Sequence, residues 1–465
     1  MPATLLIFRR HRSLLAMAAA VLHLSTPHLF AQADPPSGLI HPRVQPTAPS
    51  LTPAETPPAV VATPLDWKRA IGPRRWDFPA DHGAHPDFKT EWWYFTGQLI
   101  EADSIDIKDI PTATPLRPPD PVATGATAPD DPDNLADIAS GGSEYLRVDK
   151  VVGKQKEGGR RFGYQFTLFR HGVQKDPAQK SSKWAVRDVM FGHMAVADLV
   201  EKKFRFAEIV DRCVLGQGGA STKEMKAWIR GWRIETVGPE EYKLQAETPE
   251  FGMELVVRPI KKLVLQGTGG LSQKAPGEGN ASYYYSYPRM MTAGRIRINA
   301  KQYLVSGESW FDHEFSTSSM GREQIGWDWF SIHLDNEEEL MLYRMRRTDG
   351  ATDSCNQGTL VRADGTIMTL GADDFTIENL ATWKSPGTGG VYPSRWKISV
   401  PRAKLELESA ADLPDQELRL KLLGPLSYWE GACTLKGMRD GKPVQGRGYT
   451  ELTGYGSPMG TGMKE

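Results

Sequence analysis

From about residue 90 onward, apolar and polar residues alternate with a period of two, and the 3.6-residue period of an amphipathic helix is nearly absent. In the run 91–99 this puts Glu91, Trp93, Phe95 and Leu99 on one face and Trp92, Tyr94, Thr96 and Gln98 on the other. Both faces carry aromatic rings, as expected of a strand buried on both sides or of a barrel wall with an apolar inside. The same alternation predicts strands over 145–152, 161–169, 190–199, 228–237, 242–246 and 254–257. Beyond a Gly-rich turn region at 267–279 it predicts them over 283–287, 294–305, 308–315, 324–334, 339–346, 359–362, 396–400, 404–407, 417–422 and 447–452. Only 221–228 and 412–418 offer weak helical windows. Short strands, frequent turns and few helices make the fold class all-β and antiparallel.

A chain of 465 residues is long for one core and favours two domains. The Gly-rich turn suggests a boundary near 280, giving an N-terminal domain over 67–280 and a C-terminal domain over 281–465. An internal echo supports two related halves. Trp92, Tyr94, Phe95, Thr96, Gln98 and Leu99 align one for one with Trp327, Trp329, Phe330, Ser331, His333 and Leu334, and Trp232-Arg233-Ile234 is echoed by Trp396-Lys397-Ile398. Residues 101–142, rich in Pro, Asp, Ala and Thr, interrupt the first domain as a flexible insertion. Ahead of the folded region, 34–66 reads as a disordered Pro-rich tether, with too few large apolar residues to offset the entropy of ordering. Residues 1–33 read as a signal peptide: Arg9, Arg10 and Arg12 precede a short apolar core at 13–24, and Ala31-Gln32-Ala33 forms a cleavage signature. The expected location is therefore secreted or periplasmic, after cleavage near Ala33.

Charge and cysteine content narrow the partners. Lys plus Arg number 56 against 57 Asp plus Glu, so no global field favours nucleic acid. Cys213, Cys355 and Cys433 are too scattered for a disulfide framework or a Cys-rich metal site, and their spacing selects no pair.

Candidate chemistry concentrates at 308–334. On one strand Trp310, Asp312 and Glu314 share a face opposite Phe311, His313 and Phe315; on the next, Asp328 sits with Phe330 and Ile332, opposite Trp327, Trp329 and His333. Carboxylates among aromatics are costly to bury unpaired. Asp312, Glu314 and Asp328 are thus either paired or exposed strand-end groups, or acids whose pKa an apolar wall raises toward neutrality. His82, His85, Glu91, His193, Asp312, His313 and Glu314 include metal-ligand types, but no H-E-x-x-H spacing occurs. The expectation is no metal and no cofactor. Nucleophile-elbow and phosphate-loop motifs are likewise missing from the sequence. The aromatic clusters, from Trp92-Trp93-Tyr94 through the 283–287 tyrosines to Trp310, Trp327 and Trp329, suit a large apolar cavity as well as a core.

The motifs DHGAHPDFKTEWWYFTGQL, YYYSYPRM, SGESWFDHEF, GWDWFSIHLDNEEELMLYRMR, YWEGACTLKG and GRGYTELTGY closely resemble the lipocalin-like family of carotenoid 1,2-hydratase (hydroxyneurosporene synthase), attachment-operon proteins and secreted predicted hydrolases. The resemblance implies two tandem lipocalin-like antiparallel β-barrels with a ligand site near their interface. It implies a lipophilic, isoprenoid- or carotenoid-like ligand that the protein hydrates or isomerises. Asp312 and Asp328 would be the candidate acids, with Glu314 beside them. His313 or Tyr284 would position water, and Trp93, Tyr94, Trp310, Trp327 and Trp329 would line the ligand site. Two alternatives stay open: a metal-assisted secreted hydrolase, and a non-catalytic lipid carrier or export accessory associated with a membrane or export system.

Overall fold

Strand pairing follows from the alternation. In a computed structural model that describes residues 67–105, 154–175, 184–317, 320–422 and 426–456, nearly every regular element is an antiparallel strand. The expected signal peptide, the tether, the strand at 145–152 and most of the 101–142 insertion lie outside the described residues. Glu101 to Ser104 belong to a long strand, Thr90–Ser104.

Two curled sheets result. The first runs, by hydrogen-bonded neighbours, from Lys203–Asp211 through Asp188–Asp198, Arg161–Gly172, Thr90–Ser104, Lys301–Ser316, Ala281–Ile298, Phe251–Pro259, Glu241–Glu247, Trp232–Gly238 and Lys226–Ile229 to Gly218–Ala220. Its two ends lie against each other, so it is nearly a barrel. The second orders Ile367–Leu370, Gln357–Val361, Glu339–Arg347, Gln324–Leu334, Lys442–Thr453, Ser427–Arg439, Leu405–Ala411, Val391–Val400 and Thr376–Lys384, a half-barrel. Each concave side is filled. Trp93, Phe95, Phe166, Trp232 and Phe311 pack in the first core, and Phe330, Trp396, Ile398 and Trp429 in the second.

Several expectations change. The division drawn at 280 does not coincide with the change of sheet: Ala281–Ile298 and Lys301–Ser316 pair with each other and with strands of the first sheet, and the second begins at Gln324. The Gly-rich run is not a bare linker either, since Leu271–Gln273 pairs with Tyr283 to Ala281. The strand expected over 294–305 is two strands joined at Asn299, which adopts a left-handed φ of 52°. The weak helical windows hold short strands, Lys226–Ile229 and Glu417–Arg419. No described helix is long and apolar enough to cross a membrane. All three cysteines are free.

Candidate functional site

Strand geometry sends alternate side chains of three neighbouring strands out of the first barrel and toward the second sheet. Tyr94 on Thr90–Ser104, Trp310 on Lys301–Ser316 and Tyr284 on Ala281–Ile298 meet Trp329, Met341, Tyr343 and Met345 of the second sheet in a buried cluster, with Trp92, Met320 and Trp327 half-buried around it. Asp312 lies in this layer, 3% exposed. Its carboxyl accepts from Tyr284 Oη at 2.7 Å, Ser286 Oγ at 2.6 Å and Trp310 Nε1 at 2.6 Å. Burial pushes its pKa up to about 7; the Ser286, Trp310 and Tyr284 hydrogen bonds oppose that rise, and nearby Glu314 adds to it. Asp312 therefore gains and loses a proton near neutrality. Trp329 Nε1 donates to Tyr284 Oη at 3.2 Å, so the second sheet helps to orient the tyrosine that holds the acid. Glu314, one pleat along, has Lys274 Nζ at 3.1 Å, and that ammonium also sits 4.1 Å from the Tyr343 ring centroid.

The residues singled out from sequence are thus divided by the fold. Asp312, Glu314, Tyr284, Tyr94, Trp310, Trp327 and Trp329 come together between the sheets. Asp328 does not: it points to the other side of its strand, with Arg344 Nη2 at 2.5 Å, Arg346 Nε at 3.0 Å and Tyr455 Oη donating at 3.0 Å. That carboxylate is a paired structural anion. Trp93 and His313 face the first barrel's interior, where their rings stack at 4.9 Å between centroids. Trp93 Nε1 donates to the His82 carbonyl at 3.0 Å, so it lines no part of the inter-sheet layer.

His313 belongs to a separate buried network. Glu91 Oε1 lies 2.8 Å from His85 Nδ1 and 2.9 Å from His313 Nε2, and Glu91 Oε2 accepts from Arg170 Nε at 3.0 Å. Tyr285 Oη joins His313 Nδ1 at 2.9 Å to His82 Nδ1 at 2.7 Å. Burial opposes the charge on Glu91, yet bonds from His313 and His85 and the Arg170 charge hold its pKa well below the usual carboxylate range. Burial alone would lower His85, but bonds to Asp81 and Glu91 raise it. His82 is driven down to about 3 by burial and by His313. His85, Glu91 and His313 each offer a ligand atom within 4.8 Å of the others and are the set that could hold a metal. Their hydrogen bonds run within the set, from His85 and His313 to Glu91 Oε1, while the Arg170 guanidinium holds Glu91 Oε2 and would repel a cation there. Asp312 and Glu314 lie on the opposite face of their strand and cannot complete it. His193 is elsewhere again, sharing a 2.6 Å hydrogen bond with Tyr428 Oη.

Two acids of the inter-sheet layer were not singled out from sequence. Glu430, 1% exposed, accepts from Tyr94 Oη at 2.8 Å. Glu451 is its register partner on the adjacent strand. Burial and the neighbouring Glu451 raise Glu430 well above an ordinary carboxyl, although the Tyr94 bond opposes this. Glu451 rises to about 8 through burial, against a bond from Trp327, with Glu314 and Asp312 adding repulsion. The one available signal was a carboxylate inside an otherwise apolar strand, in YWEG and in YTEL.

A cavity of about 350 Å³ opens between the same sheets. Thr96, Trp310, Tyr449, His333, Arg289 and Arg447 are among its walls, so it combines an aromatic inner end with a polar mouth. Two of its wall residues touch the acid-bearing ones, since Tyr449 Oη donates to the Glu430 carbonyl at 3.4 Å and Trp310 Nε1 donates to Asp312, but Asp312, Glu430 and Glu451 are not themselves among its walls.

A family model described as AttH-like matches residues 151–455. Among solved structures, the chain is similar to an AttH protein from Nitrosomonas europaea, at 27% identity and a TM-score of 0.65 over 83% of this chain and 99% of that one. It is also similar to kievitone hydratase from Nectria haematococca, at 13% identity and a TM-score of 0.55 over 82% and 93% of the two chains, a likeness of fold. No curated protein sequence matches it.

Proposed function

This chain belongs to the AttH-like family, and from that premise we propose that it binds a small lipophilic molecule between its two sheets and hydrates or isomerises a double bond in it. The observation that carries the reading is Asp312, a carboxyl poised near neutrality and set among Trp310, Tyr284 and Trp329. An acid of that kind can hand its proton to an alkene carbon. The positive charge left on the neighbouring carbon would face indole rings, which stabilise cations through their π-faces. Water then adds to that carbon, and one of its protons departs to a base. Loss of a proton from the adjacent carbon instead gives an isomerised alkene. The fold likeness to a protein named as a hydratase supports this reaction class over hydrolysis. The Arg170 guanidinium on Glu91, beside His85 and His313, weighs against a metal-assisted route. Secretion remains part of the proposal, on the basic and apolar run that ends at Ala33.

The first test uses kievitone itself as probe, incubated with purified protein in ¹⁸O-labelled water. The expected result is a product heavier by one labelled water, and a loss of turnover in Asp312→Asn by about 10²- to 10⁴-fold with probe binding retained. Equal turnover in Asp312→Asn would remove this acid from the reaction. Binding without conversion, by kievitone and by lipids that co-purify from the native host, would leave a carrier.

A further inference from the structure

Asp312 supplies one proton-transfer centre, and addition of water needs a second to take the proton that water gives up. We infer that Glu451, seated on Glu430, is that second catalytic carboxyl, facing Asp312 from the opposite sheet. The inference rests on the hydration reading for its chemistry, but the placement of the pair stands on geometry.

Glu430 and Glu451 lie directly opposite each other on adjacent strands, where two like charges destabilise the sheet. Among the described residues no Lys or Arg makes an ion pair with either, whereas Glu314 has Lys274, and Glu339 is held by Arg289 and Lys261. A buried carboxylate without a cation is expensive, so the pair must hold a proton. Their roles differ by access. Glu430 is sealed, and its carboxyl is fixed by Tyr94; Glu451 is only half-buried, beside the half-buried Trp327. Glu430 is therefore the positioning residue, and Glu451 the one that can meet a ligand.

The arrangement mirrors the first centre. Tyr284 holds Asp312 and Tyr94 holds Glu430, while Trp329 stands between the two tyrosines, bonded to one and edge-on to the other at 5.2 Å. An independent observation points to a ligand here. Thr96, fully buried on the same face as Tyr94 and lining the cavity, has a hydroxyl with no hydrogen-bond partner among the described residues. An orphaned hydroxyl in the cavity wall, on the residue paired in register with Trp310, is a seat for a polar group such as the attacking water.

The step balances. Asp312 gives its proton to one alkene carbon, forming a C–H bond. A water oxygen forms the C–O bond to the other carbon as one of its O–H bonds breaks, and Glu451, a carboxylate while Glu430 holds the proton of the pair, takes that proton. Proton exchange with solvent returns Asp312 to its acid form and Glu451 to its base form.

The test has one readout that needs no turnover. Dicyclohexylcarbodiimide modifies protonated carboxyls in apolar surroundings, so peptide mapping after treatment at pH 7 should find the proton of the pair as a label on Glu430 or Glu451. The label should fall at least several-fold in Glu430→Gln, which removes the shared proton. The second readout is kievitone hydration. Glu451→Gln should lower kcat by about 10²-fold with KM little changed, and Glu430→Gln should shift the pH profile while keeping part of kcat. A pair with neither carboxyl labelled, or a label indifferent to Glu430→Gln, overturns the shared proton. Wild-type kcat in Glu451→Gln overturns its catalytic role and leaves the Asp312 reading intact. If wild-type protein turns over no kievitone, hydration of that probe falls, and the carbodiimide map alone decides for or against the proton-sharing pair.

Discussion

Two aspartates of aromatic-rich sequence setting, Asp312 after Trp310-Phe311 and Asp328 between Trp327 and Trp329, part company according to what their carboxyls meet. Asp328 meets two guanidiniums, so its charge is compensated and its burial is structural. Asp312 meets only neutral donors, so burial raises its pKa from 3.8 to about 7. The consequence for stability has a definite sign. Between these values the folded protein keeps a proton that the unfolded chain has lost, so stability falls as pH rises through the window, by up to roughly 4 kcal/mol for this group. Asp312→Asn removes that dependence. The melting temperature of Asp312→Asn relative to wild type should therefore climb steadily from about pH 4 to pH 7 and level off above. Thermal melts across that range check it. A difference independent of pH would mean that Asp312 is ionised throughout.

At the scale of elements, the repeated strands explain both the core and the site. Phe95 and its repeat partner Phe330 each fill the core of their own sheet, while Tyr94 and its partner Trp329 touch across the layer between. Period-two alternation made those faces legible for 91–99, 308–315 and 324–334, including the split between Asp312 and His313. It could not show which strands pair. The ladder joining Ala281–Ile298 to Phe251–Pro259 and Lys301–Ser316 is tertiary information, and the Gly-rich run before it imitates a domain linker. Nor could it reveal Glu430, whose partner Tyr94 is 336 residues away in sequence. The structure ties the DHGAH turn through Glu91 to three strands. Glu91→Gln would leave the buried Arg170 with only Asp188 as an anionic partner. Breaking a buried pair of this kind costs about 3 kcal/mol or more. Chemical denaturation should show that loss, with Asp312-dependent turnover kept in the folded fraction; full stability with lost turnover would instead give the network a chemical role.

For the whole molecule, the decisive feature is that the near-barrel and the half-barrel are both filled and the open cavity lies between them. A lipocalin-type barrel can hold one small ligand inside, but here Trp93, Phe95, Phe166 and Phe311 occupy the first interior, so the binding geometry depends on how closely the sheets approach. Gln98 fastens that approach by donating to the carbonyls of Cys433 and Gly448, both at 2.9 Å. Gly163 permits it: a Cβ at that position would stand 2.7 Å from the Ala432 Cβ, closer than two carbons can pack, while Tyr164 beside it points into the barrel. Any side chain at 163 must push the sheets apart or strain both strands, and overpacking costs typically ~1–3 kcal/mol. Gly163→Val should thus lower the melting temperature and, on the proposed reading, weaken binding of the kievitone probe, because Trp310 and Tyr449, on opposite walls of the cavity, move apart with the sheets. Calorimetry and a binding titration on the same variant separate the alternatives. A lower melting temperature with unchanged affinity would mean that the strain stays local, and the cavity would not depend on this contact.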